Sequence, residues 1–268
     1  VSSVAPHIVV PWYRGEQVAE FLRAWGVDRD ALPPWLVLQQ DERREGCAVT
    51  KNKGVEEAMA RGAEVVVVLD DDCFPCEPER STLERFAEAH VEALLPRSVR
   101  MFEAVTTPPS RGTPFGKHSF EMPTAASMGF WTEVGDYCGV RQLAFGAPPM
   151  EFRMEPIFGR YFPLCGMNLA FRPRDWLPWC RFVDVPRFDD IWMGWLWQRE
   201  AYRRGSCFNL GGPLVRHSRQ SDPWRNLIVE ARHLKANETL WANIAQSPHD
   251  DYATLSSLLP KDAGGTDR

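Results

Sequence analysis

The sequence predicts an α/β domain with a mostly parallel central sheet flanked by helices, and three observations carry that prediction. Strand-like and helix-like segments alternate from His7 to Leu69, as in consecutive β-α-β units. One run, Val65-Val66-Val67-Val68-Leu69, is apolar throughout and mostly β-branched, as expected of a strand covered on both faces in the middle of a parallel sheet. That run stops at Asp70-Asp71-Asp72, and ligands of open α/β sheets bind beyond the carboxyl ends of such strands.

Each element follows from a local pattern. His7–Trp12 is a short strand, and Gly15–Trp25 carries Val18, Phe21, Leu22 and Trp25 at helical spacing. Trp35–Leu38 is a second strand ending in Gln39-Gln40-Asp41, and Val55–Arg61 is a helix closed by Gly62. Ser81-Thr82-Leu83-Glu84 reads as a capping box before an amphipathic helix over Phe86, Ala89, His90, Ala93 and Leu94, with His90 structural. From Thr106 to Pro123 a Pro-, Gly- and Ser-rich loop embeds Arg111, Lys117 and His118, a local positive charge. Gly166–Phe171 is another strand and Pro173–Trp179 a short helix or turn. Asp189 or Asp190 opens a helix ended by Gly205, where one carboxylate can cap and leave the other free. Cys207–Leu210 and Pro213–Val215 lead to Arg216-His217-Ser218-Arg219, and Asp222-Pro223 starts one long helix through Leu240. Residues 1–260 are expected to form one domain, and the polar, Gly-rich 261–268 a disordered tail.

Composition narrows the function. With 44% hydrophobic and 25% charged residues, the 268-residue chain is globular in character. A net charge of −5 argues against a general nucleic-acid surface. No apolar run approaches the roughly 20 residues of a membrane span and no signal-peptide pattern opens the chain, so a cytoplasmic protein without a membrane partner is expected. The seven cysteines include Cys73-x-x-Cys76 but no second pair at zinc spacing, which suits free thiols in a reducing compartment. No G-x-G-x-x-G follows the first strand and no G-x-x-x-x-G-K-[ST] occurs, so neither a flavin nor a nicotinamide dinucleotide is expected.

The acidic triplet suggests a metal. In an extended segment Asp70 and Asp72 point one way and Asp71 the other, so the outer pair can hold a divalent cation and, through it, a diphosphate. A solvated acidic turn is the alternative; the position after a buried strand favours the metal.

Asn52-x-Gly54, Ala60-x-Gly62 and Leu69-Asp70-Asp71-Asp72 resemble the nucleotide-binding half of GT-A glycosyltransferases. Further motifs follow in order: Asp70-Asp71-Asp72-Cys73-Phe74, Arg111-Gly112-x-Pro114-Phe115, Leu164-Cys165-Gly166-Met167-Asn168-Leu169-Ala170-Phe171, Arg187-Phe188-Asp189-Asp190-Ile191-Trp192-x-Gly194-Trp195 and His217-Ser218-Arg219. Together these resemble the reversibly glycosylated polypeptide family, whose plant members are UDP-arabinopyranose mutases. The resemblance implies a GT-A-like domain and a metal-dependent, flavin-free mutase that interconverts pyranose and furanose forms of a nucleotide-linked sugar. It implies Asp70, Asp72 and His217 as ligands of Mn²⁺ or Mg²⁺, and Arg111, Asp189 and Asp190 as catalytic groups at the sugar. Asp41, Lys51, Asp71 and Asn168 stand as the accompanying nucleotide-sugar contacts.

His118 stands where plant members have a second Arg, and the residues around Trp12-Tyr13-Arg14 also differ. Uridine specificity is therefore not implied by the resemblance. The Arg-, Pro- and Trp-rich composition suggests a bacterial member, and the resemblance to bacterial members of the group implies a GDP-linked sugar, such as GDP-fucose or GDP-galactose, in antibiotic biosynthesis. The expected partner is a small nucleotide-sugar, and a homo-oligomer is allowed. Trp131, Trp192 and Trp195 are candidates for a wall that keeps water from the sugar, although core packing is the ordinary role of each. The rival readings are a GT-A glycosyltransferase with a separate acceptor and a non-catalytic nucleotide-sugar-binding subunit.

Overall fold

The computed structural model describes residues 6–78, 81–101, 107, 111, 118–219 and 221–246. The first β-α-β units form as expected: β1 (Pro6–Trp12), α1 (Gly15–Ala24), β2 (Leu36–Gln40), α2 (Cys47–Ala60) and β3 (Val65–Leu69). After them come β4 (Cys73–Pro75), α3 (Leu83–Ala93), β5 (Arg97–Arg100), β6 (Ser119–Met122), β7 (Thr124–Glu133), α4 (Gly139–Phe145) and β8 (Pro156–Ile157). The chain continues through β9 (Asn168–Phe171), α5 (Pro173–Trp176), α6 (Asp189–Arg203), β10 (Cys207–His217), α7 (Pro223–Ala231) and α8 (Leu234–Gln246).

The central sheet has the order β2-β1-β3-β9-β7-β10-β4, with β8 on β10, while β5 and β6 pair apart from it. β1, β2, β3, β7 and β10 share one direction, and β4, β8 and β9 oppose them. The architecture is a central sheet flanked by helices in an α/β domain, as the sequence predicts. The expected mostly parallel sheet is mixed: β1–β2, β1–β3 and β7–β10 pair parallel, whereas β3–β9, β7–β9, β4–β10 and β8–β10 pair antiparallel. An apolar run reports burial of both faces and is blind to the direction of its neighbours.

Val66 and Val68 of β3 pack on one face with Val55 and Ala58 of α2 and Met193 and Trp197 of α6. Val65, Val67 and Leu69 pack on the other with Phe21 and Leu22 of α1 and Leu83 and Phe86 of α3. All five β3 side chains are fully buried, and each contributes about 1.5–3 kcal/mol. The strand is thereby fixed along its whole length, and so is the point at which it releases Asp70.

Several elements differ from the sequence reading for identifiable reasons. α2 begins at Cys47 rather than Val55, because its buried face carries Ala48, Thr50, Lys51 and Gly54 and so shows little apolar periodicity. β7 fills the middle of the sheet with small residues, Ala125, Ala126, Ser127 and Gly129, that lack the β-branched signature of a strand. The long loop contains β6, and β4 was too short to read. Thr82, not Ser81, caps α3 by accepting from Arg85 N–H at 3.3 Å. The helix after Asp222 is two helices, α7 and α8; Asp222 and Pro223 cap α7 as expected. His90 is structural: fully buried, it bonds Asn168 Oδ1 at 2.7 Å and Ser127 Oγ at 3.2 Å. The expected tail, 261–268, lies outside the described residues.

Gly54 sets the distance between α2 and the sheet. A Cβ there would lie 2.3 Å from Val9 Cγ1 and 3.3 Å from Gln39 Cβ, so any side chain pushes α2 off β1. Gly54→Ala is expected to lower unfolding stability by about 1–3 kcal/mol, read by urea denaturation; unchanged stability would show that α2 sits further out.

Candidate active site

The carboxyl ends of β3, β7 and β10 reach the same edge of the sheet as the start of β9. Asp70, released by β3, donates its N–H to Met167 O at 3.0 Å. The chain then turns, with Cys73 N–H donating to Asp70 O at 3.0 Å, and enters β4 antiparallel to β10. Cys73 thus stands opposite His217 in the ladder, which carries Asp72 to the histidine.

Lys51 is the cation of this cluster. It is 3% exposed, its Nζ lies 2.9 Å from Asp70 Oδ1, and it donates to Gly166 O at 3.0 Å. The Phe182 ring centroid lies 5.3 Å from the same nitrogen. Burial is the largest single influence and works against its charge, but Asp70, Cys47, Asp189 and Asp190 together outweigh burial and hold Lys51 protonated above the ordinary lysine range. Gly166 turns its N–H the other way, donating to Asp190 Oδ2 at 2.7 Å. A Cβ on Gly166 would lie 2.5 Å from the Phe182 ring and 3.2 Å from Asp190 Cβ, so glycine is required between the two charged groups.

Asp189 and Asp190 occupy the first turn of α6, whose N-cap is Phe188, so neither is the cap. Burial, reinforced by Asp190, pushes Asp189 up to about 7 against the pull of Lys51. Asp190 is also raised by burial, opposed by Lys51 and by the Gly166 N–H. A carboxyl near neutrality can release or accept a proton at neutral pH.

The other predicted residues divide between the cluster and its frame. Asp71 faces α1 and accepts from Gln17 Nε2 at 2.9 Å; burial and then Asp72 raise it to about 7. Asp72 Oδ2 lies 3.6 Å from His217 Nε2 and 3.5 Å from Arg219 Nη1. Burial pushes Asp72 up, but His217 and Arg219 outweigh it and hold the carboxyl below its ordinary value. His217 Nδ1 lies 3.3 Å from Val134 O, which can only accept. Asp41 accepts from Glu45 N–H at 2.7 Å and Gly46 N–H at 3.0 Å, closing the loop into α2. Asn168 is fully buried and bonded to His90 and Pro213 O, so it frames the core instead of offering an atom at the surface. Arg111 is exposed, and the residues on both sides of it lie outside the described residues.

The expected three-ligand metal set does not fit this arrangement. The chain turns after Asp70, where period-2 alternation assumed an extended segment, so the two carboxylates take different partners. Asp70 goes to Lys51 and Asp72 to His217. Among the described residues no group of three or more His, Cys, Asp or Glu side chains could hold a metal ion.

Sequence reasoning missed Gly166 as a linker, and it missed Asp136, Arg187 and Glu230. Arg187 bonds Glu230 Oε1 through Nε at 3.0 Å and approaches Asp136 Oδ1 at 3.8 Å. Arg187 lies in a quoted motif, which was its signal; Asp136 and Glu230 had none. Trp192 and Trp195 do not form the expected wall: the first is fully buried with its N–H on Asn237, and the second packs on Trp241 of α8. Trp131 packs with Cys73, Met167 and Cys165 beneath the cluster.

Residues 58–247, more than half of the chain, match the reversibly glycosylated polypeptide family. The chain belongs to that family. It is 29% identical over 189 residues to a probable UDP-arabinopyranose mutase 1 of Solanum tuberosum, spanning 64% of this chain and 52% of that protein. It is 29% identical over 214 residues to a probable UDP-arabinopyranose mutase 1 of Pisum sativum, spanning 74% of this chain and 57% of that protein. UDP-arabinopyranose mutase 3 of Arabidopsis thaliana is 29% identical over 188 residues, with 64% and 52% spanned. The chain thus spans about half the length of the curated relatives it matches. A solved mannosyltransferase from Pyrobaculum calidifontis, PcManGT in complex with GDP-Man and Mn²⁺, covers 98% of this chain and 76% of its own at 14% identity and a TM-score of 0.43. At that likeness neither its ligand nor its metal carries over.

These relatives overturn the expected preference for a GDP-linked sugar, because each is named for a UDP-linked one. Among the described residues no helix is long and apolar enough to cross a membrane.

The raised Asp189 has a consequence for stability. Its value moves from 3.8 to about 7, so the folded protein keeps a proton that the unfolded chain releases between those values. The contribution is most favourable below pH 3.8 and is lost as pH rises toward 7. Asp189→Asn is therefore expected to raise the melting temperature by about 2–6 °C at pH 8 and to leave it unchanged near pH 4. An equal gain at both pH values would remove Asp189 from the near-neutral role.

Proposed function

We propose that this protein is a mutase that interconverts the pyranose and furanose forms of a UDP-linked sugar. The observation that carries the reading is the cluster in which Asp189, Asp190 and Asp70 surround the buried ammonium of Lys51, in a chain whose relatives are named UDP-arabinopyranose mutases. The cluster stands where an α/β sheet receives its ligand.

The chain's own groups supply three services. Lys51, His217 and Arg219 place positive charge along the edge where a diphosphate leaves the anomeric carbon, and such preorganised charge lowers the barrier to bond cleavage. Asp190, pinned by Gly166 N–H, stands at the sugar end, where that N–H and Lys51 favour the charged form that would offset a developing oxocarbenium charge. Asp189, near neutrality, takes the proton of the hydroxyl that closes the new ring and delivers it to the old ring oxygen as that ring opens, and the diphosphate then re-forms its bond to the anomeric carbon. Arg111 is assigned to the sugar side as well, on the family motif it lies in.

NMR of the purified protein with UDP-arabinopyranose tests the reading. New furanose anomeric signals at unchanged mass are expected, with Asp189→Asn slowed at least ~100-fold. Release of UDP and free sugar in place of the furanose would contradict it and favour a transferase that leaks to water.

A further inference from the structure

We infer that Glu230 and Arg187 are positioning residues for the reaction, through which the outer helix α7 sets where Asp189 and Asp190 stand. The inference rests on the function proposed above. Glu230 is 3% exposed, yet its two carboxylate oxygens serve groups on two other segments. Oε1 accepts from Arg187 Nε at 3.0 Å, and Oε2 accepts from Gly139 N–H at 2.8 Å.

Both partners belong to the rim of the cluster. Arg187 lies two residues before Asp189 and has a φ of 68°, a left-handed conformation that a non-glycine residue keeps only when its contacts impose it. Its Nη2 donates to Tyr137 O at 3.4 Å and stands 3.8 Å from Asp136 Oδ1. One guanidinium therefore joins the segment after β7, the start of α6 and α7. Gly139 makes the junction stiff: a Cβ there would lie 2.5 Å from Leu227 N, so α4 and α7 touch backbone to backbone.

The geometry specifies what the brace does. The first turn of α6 cannot rotate unless Arg187 leaves Glu230, and both site carboxylates ride on that turn. Neither Glu230 nor Arg187 needs to touch the sugar for this. A small displacement of groups that must meet reacting atoms costs rate more than affinity.

The test uses Glu230→Gln, Arg187→Lys and the paired Arg187→Met/Glu230→Met, with melting temperature, kcat and KM measured for UDP-arabinopyranose interconversion. The single variants are expected to lower kcat at least ~10-fold with KM within about 2-fold. The paired variant leaves no uncompensated buried charge, so it is expected to recover the melting temperature but not kcat. Recovery of kcat together with melting temperature would overturn the inference and reduce the brace to a stabilising contact. Inactive wild-type protein would overturn the proposed function and this inference together, whereas an active wild type with a fully active paired variant would overturn this inference alone.

Discussion

The structure depends on one buried ammonium. Three carboxyl groups, Asp70, Asp189 and Asp190, reach the edge of the sheet from two distant parts of the chain, and without a cation burial and mutual repulsion would drive them toward their protonated forms. Lys51 supplies that cation from inside α2, and Gly166 binds it on one side and Asp190 on the other through a single residue. The buried polar face of α2, the glycine at 166 and the turn at Asp70 are therefore parts of one electrostatic solution. Removing the ammonium while leaving the carboxylates would leave buried charge uncompensated, the costly way to break such a cluster.

Most of the architecture was legible because burial writes itself into side-chain pattern. β1, β2, β3, β9 and α1, α3, α6 announce themselves through apolar periodicity. β7 does not, because a central strand lined by Ala, Ser and Gly packs on neighbours without β-branched residues. α2 hides its first half because that half buries a lysine and a threonine. The direction of β9 is invisible for a different reason: hydrogen-bond polarity leaves no trace in hydropathy.

Of the residues expected at the site, some share one edge of the sheet, Asp41 and Asn168 serve the frame instead, and the pairings were illegible. Asp70, Asp72, Lys51, Asp189, Asp190 and His217 do gather at one edge. The sequence could not say that the turn after Asp70 splits the acidic triplet into a partner for Lys51, a partner for Gln17 and a partner for His217. Such pairings depend on tertiary placement of groups far apart in the chain. The same holds for Glu230, a surface-helix glutamate by pattern and a buried anchor in space. The base preference failed on other grounds: no residue of the chain carried it, and the relatives it matches are named for a UDP-linked sugar.

The charge state of Lys51 decides whether this account holds. Heteronuclear NMR of the Lys51 ε-ammonium, followed from pH 7 to pH 11, measures it directly. The resonance is expected to stay protonated beyond the ordinary lysine range and to shift when Asp70→Asn removes its partner. Deprotonation below that range would mean that burial prevails over the carboxylates, and that the cluster is not organised around a fixed positive charge.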